Sequence, residues 1–220
     1  MAKTILTKNQ IKLLNEITKN TSFSKYFYLT GGTALSEFYL HHRLSDDLDF
    51  FSEQEIDRSW LTSLVSNITS TLDIQNVDRR TLFNRNLVFF NFKKETIKTE
   101  FTYFPSPQIE KPLIIKALPI DSLIDIAVNK FFTIYQKPEA RHLIDLYLIL
   151  MANKFSWNQL KKLARIKFDT NIDPIQLGSS LIKSQTITDF PRMLIPLDHN
   201  KWQNYYLKKA KELEYEIKKT

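Results

Sequence analysis

The sequence predicts an α+β fold, with a mixed β-sheet domain flanked by helices at residues 1–112 and a helical domain at residues 113–220. In the first half, short apolar segments of strand length alternate with amphipathic helical patterns. From Pro119 onward, apolar residues recur at the spacing of α-helices. Between the two halves, three prolines lie close together at positions 105, 107 and 112. This change of pattern indicates two domains of different class.

The individual elements follow from the same patterns. A first helix is predicted where Ile11, Leu14 and Ile17 share one face. In chain order, the first half is predicted to contain helix 8–19, strand 26–29, helix 33–39, strand 48–51, helix 56–72 and strands 87–92 and 97–104. The second half is predicted to contain helices at 121–135, 139–152, 156–166, about 174–184 and 201–218.

The composition limits the class of protein. A hydrophobic fraction of 43% over 220 residues is enough to build a core. Because the chain has no cysteine, disulfides and thiolate metal sites are excluded. The sequence shows no signal-peptide pattern and no apolar run of membrane-spanning length. We therefore expect a soluble, cytoplasmic protein without a membrane partner.

The net charge indicates the kind of ligand. The formal charge of +7 favours polyanionic partners, either nucleotides or nucleic acid, because neutralising phosphates releases their counterions. The alternative is that the charge serves only solubility.

A pair of adjacent glycines lies between a predicted strand and a predicted helix. The chain has only 3 glycines, and two of them are Gly31 and Gly32. Glycines at this position let phosphates approach the backbone N–H groups and the positive end of the helix. Thr33 adds a hydroxyl donor at the same point. The alternative is a tight turn that needs a positive φ angle.

Two aspartates occupy alternate positions of the next strand. Side chains two residues apart on a strand point to the same face, so Asp47 and Asp49 project together and Leu48 faces the core. Adjacent carboxylates repel unless a cation lies between them, and hard oxygen ligands of this kind suit Mg²⁺. The alternative is a solvated strand edge with scattered acids.

A third carboxylate for such a metal is expected from a neighbouring strand. Glu100 is the best candidate, because it lies on the face opposite Ile97 and Phe101 and need not enter the core. The alternative is a surface glutamate that pairs with a lysine on the adjacent strand.

Two charged residues of the helical half lie on apolar helix faces. Lys130 falls beside the apolar stripe of its helix, so it either extends outward to water or faces an anionic cleft. Asp145 lies in a helix that is otherwise apolar nearly all round. It is a candidate general base or substrate-positioning acid, or it pairs with Arg141 one turn earlier.

Together these motifs resemble a known family. The segment Leu29–Leu35, reading LTGGTAL, is followed by His42–Phe51, reading HRLSDDLDFF. This pattern resembles the signature of AbiEii-type nucleotidyltransferases, the toxin components of type IV toxin–antitoxin and abortive-infection systems. Lys130 and the later Arg-x-x-x-Asp-Leu-Tyr run that ends at Tyr147 are a second match.

The resemblance implies a nucleotidyltransferase-like sheet domain and a role for each matched residue. Asp47 and Asp49 would bind Mg²⁺, with Glu100 as the looser third candidate. Lys130 would contact the triphosphate, and Asp145 would be the acid of the last motif. The remaining nucleotide-binding residues implied by the match are Gly31, Gly32, Thr33, Arg43, which would support the site by charge, and Ser45, which would hydrogen-bond its backbone.

The expected activity is Mg²⁺-dependent transfer of a nucleoside monophosphate from an NTP to RNA, with a tRNA 3′ end as the favoured acceptor. The expected biological role is the toxin of a type IV system with a cognate antitoxin. Two alternatives remain open: a small-molecule, aminoglycoside-type nucleotidyltransferase, and a nucleotide-binding or interaction module without catalysis. A cationic small-molecule substrate would prefer an acidic cleft, so the basic composition counts against the first alternative.

Overall fold

The computed structural model describes residues 4–152 and 155–217. The chain divides into two compact units, Met1–Ser122 and Leu123–Thr220. The first unit contains both helices and strands, and the second is helical over its described residues. The α+β class predicted from the sequence is confirmed.

The first unit, in the part that the structure describes, is built on a seven-stranded mixed sheet in the order β3-β4-β5-β2-β1-β7-β6. Its strands are β1 (Tyr28–Thr30), β2 (Leu48–Ser52), β3 (Asn76–Leu82), β4 (Arg85–Asn91), β5 (Thr96–Tyr103), β6 (Leu113–Ile115) and β7 (Leu118–Ile120). The central pair, β2 and β5, is parallel, and so is the pair β1 and β7. The other neighbours are antiparallel.

The first unit also contains helices over its described residues. They are α1 (Lys8–Ile17), α2 (Thr21–Tyr26), α3 (Gly31–Leu35), which continues as a π-helical turn at Ser36–Leu40, and α4 (Arg58–Thr71). Helix α1 begins with a capping box, in which the side chains of Thr7 and Gln10 each accept a hydrogen bond from the other residue's backbone N–H.

One face of the central strands is packed by aromatic rings. Phe50 of β2 and Phe101 of β5 are fully buried and stack with ring centroids 5.4 Å apart. Phe23 of α2 meets Phe50 edge-on at 5.0 Å, and Phe27 stacks on Trp60 of α4 at 5.1 Å. Because side chains alternate along a strand, this packing directs the intervening polar residues to the opposite face.

The second unit consists of helices over its described residues. They are α5 (Leu123–Gln136), α6 (Ala140–Met151), α7 (Trp157–Lys167), α8 (Pro174–Ile182), followed by a 3₁₀ turn at Lys183–Gln185, and α9 (His199–Ile217). Trp202 and Tyr206 of α9 are fully buried, and the Tyr206 hydroxyl donates to the Leu143 carbonyl at 2.7 Å. Burial raises the pKa of Tyr206 well above its ordinary value.

Most predicted helices and strands form within a few residues of their expected positions. The predicted end of the last helix at residue 218 lies outside the described residues. Four elements were not predicted: α2, β3, β6 and β7. Helix α3 begins at Gly31, earlier than the predicted 33, so the glycines form its first turn.

The two units divide at Ser122 and Leu123, later than the boundary expected at residues 112 and 113. The reason is that β6 and β7 complete the sheet, since Leu29 of β1 pairs in parallel with Ile120 of β7. Within the described ranges, no helix is long and apolar enough to cross a membrane.

Candidate active site

The predicted acids lie on the sheet face opposite the aromatic packing. Leu48 and Phe50 are fully buried, whereas Asp49 between them is only partly buried. Asp47 immediately precedes β2 and is also partly exposed. Asp49 pairs in register with Glu100 on the parallel neighbour β5, so these two side chains lie on the same face of adjacent strands. The register thus brings Asp49 and Glu100 to one face, and their role at a metal site stays a prediction.

Gly31 lies directly against one of these acids. Its φ angle is +72°, in the left-handed region that glycine adopts without strain. A Cβ atom on Gly31 would lie 2.5 Å from Oδ2 of Asp49. Both the backbone conformation and the space therefore require glycine here, and the carboxylate of Asp49 is held next to the first turn of α3.

Gly32 leaves room for two polar side chains of the later motif. A Cβ atom at this position would lie 2.4 Å from Nη2 of Arg43 and 2.9 Å from Oγ of Ser45. Arg43 is buried, and its Nη1 donates to the Leu44 carbonyl at 2.9 Å. The second glycine therefore admits the guanidinium of Arg43 and the hydroxyl of Ser45, which joins the two halves of the family signature in space.

The loop that leads into β2 is anchored by two side chains. The buried Thr33 hydroxyl donates to the backbone carbonyl of Asp47. The amide of Gln10, from α1, donates to the carbonyls of Ser45 and Asp46 at 3.1 and 3.0 Å. The hydroxyl of Thr33, expected from the sequence to face phosphates, thus has a backbone acceptor and positions Asp47.

Two cations lie beside the acids. Lys98 Nζ is 2.7 Å from Oδ2 of Asp47. Arg85 of β4 binds Glu100 through two hydrogen bonds of 2.7 and 2.6 Å. The alternative considered from the sequence, a cross-strand pair of Glu100, is thus observed with arginine as the partner.

The pKa values of the Arg85–Glu100 pair reflect these contacts. Burial raises the pKa of the Glu100 carboxyl, but hydrogen bonds from Arg85 and Thr102 and the positive charges of Arg85 and Lys98 outweigh it, so the net pKa is lowered. The hydrogen bond to Glu100 raises the pKa of Arg85, and the charge of Asp49 adds to this effect. Arg85 therefore interacts electrostatically with the carboxylates of both Glu100 and Asp49.

The donor set of the acids fits a magnesium ion that is also bound by substrate. Asp47 and Asp49 are carboxylates on one face, and Mg²⁺ commonly binds through one or two carboxylates plus phosphates. Among the described residues, no group of three or more His, Asp or Glu side chains is arranged to hold a metal. Glu100 binds Arg85 and accepts from the Thr102 hydroxyl at 2.6 Å, so its role as a third metal ligand stays a prediction.

Lys130 and Asp145 lie in the helical unit and bind each other. Lys130 Nζ, on α5, is 2.8 Å from Oδ2 of Asp145, on α6, and 3.3 Å from Nδ1 of His142. The two side chains are 7% and 0% exposed. The expected alternative partner, Arg141, instead contacts Glu139 at 2.9 Å. Each of these two buried charges is thus neutralised by the other. The sequence around either residue did not predict this pairing.

Sequence reasoning missed several residues of these two regions: Gln10, Arg85, Lys98, and the buried pair of Lys167 and Asp125, whose charged atoms are 2.6 Å apart. Gln10 had a local signal, since Thr7-x-x-Gln10 is a capping box that marks α1. Lys98 had a weaker local signal, because it lies two residues before Glu100 and therefore on the same face of the strand. The partners of Arg85 and Lys167 depend on tertiary contacts alone.

A mixed sheet with two aspartates beside a Gly-Gly turn fits the nucleotidyltransferase class that the sequence motifs resemble. The family model described as "Nucleotidyl transferase AbiEii toxin, Type IV TA system" matches residues 12–217. The chain therefore belongs to the AbiEii family of nucleotidyltransferase toxins. The resemblance found in the sequence is confirmed.

Solved structures share this fold. JHP933 from Helicobacter pylori is 21% identical with a TM-score of 0.59, and the match covers 97% of this chain and 95% of that one. The nucleotidyltransferase toxin MenT4 from Mycobacterium tuberculosis is 14% identical with a TM-score of 0.61, covering 94% and 82%. In sequence, no curated protein matches the chain significantly.

Proposed function

We propose that this chain transfers a nucleoside monophosphate from an NTP to a hydroxyl of RNA, with Mg²⁺, and that it acts as the toxin of a type IV system. The observation that supports this most directly is the juxtaposition of Asp49 with Gly31, whose missing Cβ leaves room for the carboxylate. Asp47 and Asp49 would hold Mg²⁺, which would stabilise charge on the attacking and leaving oxygens.

In the proposed reaction, the acceptor oxygen bonds to the α-phosphorus of the NTP. The bond from that phosphorus to the oxygen bridging to the β-phosphate breaks, pyrophosphate leaves, and the hydroxyl proton passes to water. The first turn of α3 would bind phosphate through the backbone N–H groups of Gly32 and Thr33, because the Thr30 hydroxyl donates to Asp121 at 2.6 Å instead of capping this helix. Lys130, by the family resemblance, would contact the triphosphate.

We propose RNA, and in particular a tRNA 3′ end, as the acceptor. Lys98 and Arg85 neutralise Asp47 and Glu100 beside the site, and the whole chain carries +7. Such a field attracts a polyanion and disfavours a cationic aminoglycoside. The family also motivates a cognate antitoxin protein as a partner.

A transfer assay tests the proposal and separates the acceptors. The protein is incubated with Mg²⁺, each labelled NTP, and either total tRNA or an aminoglycoside. We expect label on tRNA and loss of more than about a thousandfold of the rate in Asp47→Ala. Asp46→Ala is the matched control, because this neighbouring acid is exposed, and its rate should stay within about threefold of wild type.

Two results would contradict the proposal. Label found only on the aminoglycoside would make the chain a small-molecule transferase, and NTP binding without any transfer would make it a binding module. The toxin role is tested separately by induced expression, which should slow growth in wild type and in Asp46→Ala but not in Asp47→Ala.

A further inference from the structure

The hairpin of β3 and β4 ends in a strained, exposed phenylalanine. Phe83 lies in the two-residue turn between Leu82 and Arg85, with a φ angle of +53°, where glycine or asparagine is favoured. Its ring is fully exposed, and Leu82 beside it is 51% exposed. A bulky aromatic side chain held in this conformation without packing contributes nothing to the core, which points to a binding role.

Strand register shows which hairpin residues share the face of the acids. Glu100 is paired with Leu87 of β4, and Leu87 is paired with Arg80 of β3. Arg80 therefore lies on the face of Asp49, three strands away. Its neighbour Arg79 points to the opposite face and donates to the Thr62 hydroxyl of α4 at 3.3 Å.

A second set of paired residues on this face lies between the hairpin and Asp47. Phe89 of β4 is paired with Lys98, and Lys98 binds Asp47. Neighbouring strands lie about 4.8 Å apart, so Phe89 is roughly 10 Å from Asp47 across the sheet. The guanidinium of Arg80 lies over the Phe89 ring, 5.2 Å from its centroid. Phe89 and Arg80 thus lie close enough to Asp47 for about two nucleotides of an RNA strand to span the distance.

We propose that Arg80, Leu82, Phe83 and Phe89, the hairpin surface, bind the single-stranded nucleotides that precede the acceptor end of the RNA. Bases stack on exposed aromatic rings, and arginine binds the phosphates or stacks beside them. On this face of the hairpin, Arg80 and Arg85 outnumber Asp78, and this excess of positive charge favours an anionic ligand. This inference rests on the proposed RNA acceptor and adds how that acceptor is held.

Binding of a fluorescein-labelled 12-nucleotide single-stranded RNA, measured by anisotropy without NTP, tests the hairpin surface. We expect Arg80→Ala and Phe83→Asn each to weaken affinity about tenfold. Arg79→Ala is the matched control, since it removes the same charge from the same strand on the other face, and its affinity should change less than about threefold. Phe83→Asn should keep or raise the Tm, because asparagine tolerates the positive φ angle.

The outcomes separate this inference from the proposed function. If wild type labels tRNA but the KM for tRNA is unchanged in Arg80→Ala and Phe83→Asn, the hairpin surface is not the binding site. Equal losses in Arg79→Ala and Arg80→Ala would reduce it to a general charge effect and overturn it. Binding that depends on Arg80, without label on any RNA, would keep the hairpin surface and reject RNA as the acceptor. Self-association that changes in Phe83→Asn, with unchanged RNA affinity, would assign the surface to protein contacts.

Discussion

Two ion pairs beside the acids of the α/β unit and two pairs in the helical unit lie in opposite surroundings. In the α/β unit, the pairs Lys98–Asp47 and Arg85–Glu100 each have a partner that is about a third or more exposed to water. Two pairs of the helical unit, Lys130–Asp145 and Lys167–Asp125, instead have both partners less than a tenth exposed. Under the proposed function, Asp47 would exchange Lys98 for a metal or a substrate with little cost, because water screens both states.

A buried pair behaves differently. Its desolvation offsets most of its attraction, so it contributes little net stability while both charges are present. Removing one partner leaves an uncompensated charge, which costs about 3–5 kcal/mol. Exposure therefore separates pairs with a solvated partner from pairs that are fully buried among the helices, and variants of each pair test this distinction.

The largest combined effect is expected at the Lys130–Asp145 pair. Lys130→Met should lower the free energy of unfolding by about 3–5 kcal/mol and abolish nucleotidyl transfer. The double variant Lys130→Met/Asp145→Val removes both charges, so it should regain most of the stability but none of the activity. Urea denaturation and the tRNA labelling assay measure the two properties separately. Recovery of transfer in the double variant would show that Lys130 is structural only.

The second pair of the helical unit provides the contrast. Lys167→Met should also cost about 3–5 kcal/mol, because it leaves Asp125 buried without its lysine. Here the double variant Lys167→Met/Asp125→Val should restore both stability and transfer. A persistent loss of transfer in a stable double variant would extend the functional site to these two residues.

A smaller effect is expected at Gly31. Gly31→Ala places a Cβ in a left-handed residue and against Asp49, so it should cost about 1–3 kcal/mol and reduce transfer by about a hundredfold or more. Gly178→Ala in α8 is the matched control, because nothing lies within 4 Å of its added Cβ, and it should raise stability by about 0.5–1 kcal/mol. Equal transfer rates in Gly31→Ala and Gly178→Ala would show that displacing Asp49 does not impair transfer, and Asp49 would then have no role in the reaction.

Local rules predicted the acids and the glycine turn, because period-two alternation and the need for a positive φ act between residues close in sequence. Asp47, Asp49 and Gly31 were found in this way. The strand β3 was missed, since its NVDRRTL sequence has almost no buried position and hence no alternating hydrophobic signal. The Lys130–Asp145 pair was missed because its partners lie on different helices, and only their packing brings them together.

The last and smallest effect is expected at the Arg85–Glu100 pair, whose arginine is exposed to water. Because the folded-state pKa of Glu100 is lowered, its pair with Arg85 stabilises the protein above the ordinary glutamate pKa of 4.5 and loses this contribution as pH falls through the lower, folded value. Arg85→Ala should therefore cost about 1–2 kcal/mol at pH 7. Its deficit relative to wild type should shrink as the pH falls from 4.5 through the lower, folded pKa of Glu100, because protonation then removes the same interaction from the wild type. Urea denaturation at pH 7 and pH 3.5 measures the difference, with Arg79→Ala as the control of equal charge. A loss of unfolding free energy that is the same at both pH values would mean that Arg85 acts through packing. The difference between exposed and buried pairs would then not rest on charge.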